Sequence, residues 1–129
     1  MDPLFLELEE VLEIHRDQIT RYGGSDGVRD MALLQSALAM PRAGAGGEFF
    51  HTGVCEMAGA YLFYLVKNHP FVDGNKRTGA VAAFIFLRLN GYDLKMTNPA
   101  FEKTVRAVAD GSMDKAALRA LLRKHAKPE

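Results

Sequence analysis

Between Gly79 and Leu89 a single residue, Arg88, carries a charge. The apolar residues of this stretch cover every helical face rather than one stripe, so it reads as a central helix packed on several sides. A chain built around such a helix must supply other helices to cover it. Asn90-Gly91 is its stop signal. Its start falls near Asn75 or Lys76, directly after a loop of different character, His69-Pro70-Phe71-Val72-Asp73-Gly74-Asn75-Lys76-Arg77.

The rest of the chain supplies the cover. Leu4 to Tyr22 carries an apolar stripe with most glutamates off it, and Gly23-Gly24 ends it. Asp30 caps a helix over 31–40 that Pro41 stops. Thr52 caps a third to about Asn68, where Pro70 disfavours helical geometry at His69. Thr97 or Asn98 caps a fifth that ends near Asp110-Gly111, and Ser112 caps a sixth over 113–125. The glycine-rich stretch 42–51 reads as a mobile connection, with room for one short hairpin. The expected fold is all-α, a compact bundle of about six helices forming one domain over 1–129. At 48% hydrophobic and 25% charged residues the chain has ordinary globular composition.

Charge narrows the function. Sixteen Lys and Arg balance sixteen Asp and Glu, so there is no general attraction to nucleic acid or anionic membrane, and an anion site must be local. No helix carries a basic stripe, which argues against direct DNA binding. One cysteine, Cys55, excludes an internal disulfide framework and fits a reducing cytoplasm. No signal peptide is evident, and the apolar run from Gly79 to Leu87 falls far below the ~20 residues of a membrane span.

The nine-residue loop is that local site. A helix start presents unpartnered backbone amides backed by a partial positive charge, and Gly74 lets a ligand approach the backbone. Lys76 and Arg77 add formal charge, the Arg fork suiting phosphate. Two cations at a helix N-terminus oppose the dipole, and an anionic partner explains them. Asp73 would repel bare phosphate but suits a Mg2+ ion bridging phosphate oxygens. Asn75 can donate to a phosphate oxygen or support the loop. His69 suits proton transfer near neutrality, taking the proton of an attacking hydroxyl. Phe71 reads as a buried anchor. Arg21 either reaches a nucleotide or pairs with a nearby acid. His15, His51 and His125 lack metal-ligand spacing and read as structural or exposed.

His-Pro-Phe-x-Asp-Gly-Asn-Lys-Arg resembles the signature of the Fic/Doc superfamily. Lysine, where most Fic enzymes have glycine, resembles the Doc (death-on-curing) branch, toxins of type II toxin–antitoxin modules. His15, the run Arg21-Tyr22-Gly23-Gly24-Ser25-Asp26-Gly27, Leu33-Leu34 with Ala37-Leu38, and Phe86-Leu87 with Asn90-Gly91 also fit that branch, so the similarity spans about residues 4–95. It implies that His69 is the base, that Asp73 holds Mg2+, and that Gly74, Asn75 and Arg77 hold phosphates. Lys76 implies ATP bound in the reversed sense, with its terminal phosphate toward the target hydroxyl. The implied activity is a protein kinase acting on a threonine of elongation factor Tu and stopping translation. The alternatives are AMP transfer of the Fic type and a non-catalytic, antitoxin-binding co-repressor that meets DNA only through the antitoxin. An inhibitory Ser/Thr-x-x-x-Glu-Gly/Asn pattern is missing, since Met57 follows the nearest match at Thr52 to Glu56. Inhibition is therefore expected from an antitoxin in trans, whose segment covers the cleft. The resemblance also turns the 42–50 loop into a flap that positions the target's backbone.

Overall fold

The computed structural model describes residues 2–129. Among them six α-helices follow one another: α1 (Leu8–Tyr22), α2 (Met31–Ala39), α3 (Val54–Asn68), α4 (Asn75–Leu89), α5 (Asn98–Asp110) and α6 (Lys115–His125). A 3₁₀ turn over Met40–Arg42 prolongs α2 through Pro41. Strands β1 (Gly44–Ala45) and β2 (Glu48–Phe49) form a hairpin. Strands β3 (Tyr92–Leu94) and β4 (Ala126–Pro128) join the end of the chain to the segment after α4. The architecture is the expected all-α bundle. No helix is long and apolar enough to cross a membrane among the described residues.

The centre is shared by two helices. α3 packs on α2, α4, α5 and α6, and α4 packs on α1, α3, α5 and β3. The apolarity of α4 therefore overstates its enclosure, for Phe84 and Leu89 remain 39% and 44% exposed. Glycine brings the pair close. A Cβ on Gly79 would lie 3.1 Å from Val66 Cγ2 and 3.4 Å from the Leu62 carbonyl oxygen. Tyr61, Leu62, Leu65, Phe86 and Leu87 fill the space between and around them, each with no exposed surface.

Several helix starts differ from those the sequence suggests, for physical reasons. α1 begins at Leu8 rather than Leu4, because distant partners hold the preceding residues extended. The Asn90 side chain bonds both the N–H and the carbonyl of Leu4, and the Leu6 N–H donates to the Tyr61 hydroxyl at 3.0 Å. Burial pushes that phenol up to about 12, so it remains a neutral hydrogen-bonding group. Thr52 does not cap α3. Gly53 takes that position, and Thr52 bonds the Glu56 carboxylate instead. Ser112 bonds Asp110, and Asp114 caps α6 by accepting from the Ala117 N–H at 2.8 Å.

The hairpin forms where glycines allow it. Gly46 and Gly47 both have positive φ, 61° and 83°, as a two-residue turn between twisted strands requires. Phe49 packs edge-on against Phe5, which stacks on Phe86. Phe86 lies eleven residues beyond Asn75, or about 16 Å along the helix. The hairpin expected within 42–51 is thus present, and Phe49 reaches α4 at Phe86 by way of Phe5.

Candidate functional site

The loop between α3 and α4 is held in an uncommon conformation. His69 ends α3 at φ 50°, ψ 54°, the left-handed region, and is the one non-glycine residue there among those described. That geometry costs a β-carbon-bearing residue roughly 1–2 kcal/mol. It persists because the segment after α1 braces the loop from outside. The Pro70 carbonyl accepts from the N–H groups of Arg29 (2.7 Å) and Asp30 (3.0 Å), and the Val72 N–H donates to the Gly27 carbonyl at 3.0 Å. The Arg29 guanidinium covers the end of α3, donating to the carbonyls of His69 (2.7 Å) and Asn68 (3.0 Å). The imidazole itself is on an exposed residue at the mouth of the loop.

Inside the loop, Phe71 is the anchor, fully buried and stacked on the His15 ring with centroids 3.8 Å apart and planes 5° apart. Asn75 closes the turn around it. Its amide oxygen accepts from the Phe71 N–H (2.9 Å) and its amide nitrogen donates to the Phe71 carbonyl (3.0 Å). Of the two roles open to the Asn75 side chain, this is support of the loop, and its backbone N–H is left at the helix start. Gly74 caps α4 with φ 78°, and a Cβ there would stand 3.1 Å from Ile19 Cδ1.

The Asp73 carboxylate faces solvent but is fixed. One oxygen accepts from the Gly74 N–H at 2.8 Å and the other from the Ser25 N–H at 3.2 Å. These amides, Ser25 foremost, hold its pKa below the usual carboxylate range, with smaller help from the charges of Arg77 and His15. The approach depends on Gly24, because a Cβ there would fall 2.6 Å from the carboxylate oxygen. A lone ionised carboxylate with open lone pairs suits a Mg2+ ion that a nucleotide would bring with it. Among the described residues no cluster of three or more His, Cys, Asp or Glu could hold a metal unaided.

His69, Asp73, Gly74, Asn75, Lys76 and Arg77 line one pocket of about 140 Å³. That is well below the ~300 Å³ at which whole-ligand pockets begin, and it suits phosphate groups rather than an entire nucleotide. The first-turn amides of α4 open into it, and Lys76 extends from the rim as an exposed residue. Arg77 is partly committed to structure: it donates to the carbonyls of Gly23 (2.9 Å) and Gln18 (3.4 Å), tying the end of α1 to the start of α4. Lys76 and Arg77 also border a second groove, about 540 Å³, between α1, α4 and α5, floored by Ala80, Val81, Phe101 and Val105.

Arg21 is not brought to the pocket. Its Nε donates to both Asp17 oxygens, at 2.9 and 3.0 Å, on the exposed face of α1. Of its two readings the structure realises the acid pair. Three residues that matter here carried no such assignment: His15, Arg29 and Gly24. His15 could have been noticed as a polar residue on the buried face of α1, beside Val11 and Gln18. Arg29 has no local signal, because its partners lie about forty residues away.

Comparison with known proteins agrees with this geometry. The family model described as Fic/DOC matches residues 5–87. A protein named Toxin Doc from Mycolicibacterium smegmatis is 40% identical over 90 residues, covering 70% of this chain and 67% of its own. Protein kinase doc from Escherichia phage P1 is 32% identical over 111 residues, covering 79% of this chain and 87% of its own. The braced loop, the pocket at the start of α4 and these matches together place the chain in the Fic/DOC family.

Proposed function

We propose that this protein is a Doc-type toxin of a type II toxin–antitoxin module, and that it acts as an ATP- and Mg2+-dependent protein kinase on a threonine of elongation factor Tu. The observation that carries the reading is the small pocket that joins an exposed imidazole, an ionised carboxylate, a helix start and the Lys76 side chain. The similarity to a protein named as a kinase and to another named as a toxin supports the same direction.

In this reading the pocket holds the terminal phosphate. The backbone N–H groups of Asn75, Lys76 and Arg77 meet its oxygens, and the Arg77 guanidinium adds charge from one side. Asp73 would hold a Mg2+ ion, which would supply neutralisation of the phosphate charge. The target hydroxyl oxygen attacks phosphorus, the bond from phosphorus to the ADP oxygen breaks, and His69 takes the hydroxyl proton. Arg29 and the left-handed backbone at His69 keep the imidazole at the mouth of the pocket, where the hydroxyl arrives. Lys76 selects the orientation: its side chain stands where glycine would leave the backbone open for the inner phosphates of a nucleotide bound the other way round.

An antitoxin supplied in trans completes the account. A segment lying in the 540 Å³ groove would cover Phe101 and Val81 and meet Lys76 and Arg77 from the side, so nucleotide and antitoxin would compete. Incubation of the purified protein with elongation factor Tu, ATP and Mg2+, followed by intact-mass measurement, tests the reading. One added phosphate is expected, and its loss in His69→Ala. An unmodified factor at high enzyme concentration without antitoxin would overturn it.

A further inference from the structure

We propose that His15 is a positioning residue for the Asp73 carboxylate, acting through a single peptide plane. The proposal rests on the reading of Asp73 as the residue that holds the metal of a nucleotide complex. His15 lies on α1, is 2% exposed, and is 58 positions from Asp73.

The His15 Nε2 atom is 2.8 Å from the Asp73 carbonyl oxygen. A carbonyl only accepts, so Nε2 carries the hydrogen and donates. The peptide bond is planar, so the Asp73 carbonyl and the Gly74 N–H move as one rigid unit. That N–H points away from the carbonyl and donates to the Asp73 carboxylate at 2.8 Å. His15 therefore grips one end of the plane whose other end sets the carboxylate. Rotation of the plane would break both bonds together. The Ser25 N–H holds the second carboxylate oxygen, so the group is fixed from two sides.

The ring adds a second constraint. It lies flat on Phe71, two residues before Asp73, and its Cδ2 would be 3.7 Å from a Cβ on Gly74. One imidazole thus touches the loop's anchor and its carboxylate-bearing peptide, and lies beside its glycine turn. A purely apolar ring could fill the same space, but it would leave the half-buried Asp73 carbonyl without this donor.

Donor and ring can be separated. His15→Gln carries an N–H at about the reach of Nε2 but no ring; His15→Phe carries the stack but no donor. Binding of Mg2+·ATP and of metal-free ATP to each folded variant is measured by calorimetry, with KM for Mg2+ and kcat alongside. His15→Phe is expected to bind Mg2+·ATP about tenfold more weakly and to raise KM for Mg2+, with metal-free ATP unaffected. His15→Gln should lie within about threefold of the parent. If His15→Phe does not fold, His15→Met serves as the donor-free variant. Independently, the Gly74 amide resonance of the ligand-free protein should keep its hydrogen-bonded position in His15→Gln and lose it in the donor-free variant. That arm stands even if the parent binds no Mg2+·ATP, a result that would count against the functional reading alone. Equal losses in the Gln and donor-free variants, or an unmoved Gly74 amide in the latter, would overturn the proposal.

Discussion

His69 occupies a backbone region that glycine enters freely, and the fold supplies Arg29 and a bridge between Val28 and Phe71 to keep it there. Strain of this kind, held by surrounding structure, is characteristic of functional positions. It has a measurable consequence. His69→Gly relieves the left-handed penalty at some cost in chain entropy, so it should raise stability by up to about 1 kcal/mol. In the same protein phosphate transfer should fall by roughly 10²–10⁴-fold, the usual contribution of a general base. Thermal melting and label transfer on one preparation check both halves. Gly24 offers the opposite case. Gly24→Ala must place a Cβ 2.6 Å from the Asp73 carboxylate at φ +113°. It should cost roughly 1–3 kcal/mol in denaturant unfolding and weaken Mg2+·ATP binding as the carboxylate is displaced. Asp73 itself should remain ionised to lower pH than an ordinary aspartate, because backbone amides favour its charged form. Mg2+·ATP binding should therefore persist to lower pH than an aspartate of ordinary pKa would allow.

At the level of elements, the junction of α3 with α4 sets the loop. Gly79→Leu would force atoms into Val66 and the Leu62 carbonyl, and overpacking of this kind costs about 1–3 kcal/mol. A lower urea midpoint with an unchanged slope would report it. The hairpin end of the molecule has its own clamp: Lys115 donates toward His51 Nε2 and to the Tyr64 hydroxyl, both at 3.1 Å, joining α6, α3 and the residues after β2. Burial, then the Lys115 charge, holds the His51 ring below its ordinary pKa. The folded state thus favours the neutral ring. This contribution is complete above the unfolded value of about 6.5 and declines as pH falls from there toward the folded value. Melting temperature should drop between pH 7 and pH 5 in the parent and drop less in His51→Gln, which keeps an acceptor for Lys115.

The elements also divide by how they could be read. α4, the 69–77 loop and the starts of α2 and α5 follow from local signals: uniform apolarity, a Pro after His69, Asp30 and Thr97 as caps. The misplaced starts at Leu4, Thr52 and Ser112 each looked like good local chemistry. Each lost to a competing bond: Asn90 and Tyr61 capture the first residues, Glu56 captures Thr52, and Asp110 captures Ser112. Strand β4 had no local signal, since its register with β3 is set across more than thirty residues. In the site, the residue types pointed to phosphate and were brought together in one pocket. The pairing of Arg21 with Asp17 and the support given by His15 and Arg29 depend on tertiary placement, which spacing along the chain does not encode.

Taken as a whole, the molecule carries no net charge, and the groups proposed to bind phosphate gather in one pocket at the start of α4. The neighbouring groove makes that end accessible to a second chain. A peptide with an apolar spine and acidic flanks should therefore compete with ATP, and Phe101→Asp should abolish the competition while leaving transfer intact. In the proposed reaction this pocket receives the terminal phosphate of ATP, with Lys76 setting that orientation. Transfer to elongation factor Tu from ATP labelled in the terminal phosphate, set beside ATP labelled in the first phosphate, tests it most directly. Label should pass from the terminal position alone in the parent protein, and Lys76→Gly should shift transfer toward the first. Label arriving from the first phosphate in the parent protein would contradict the account.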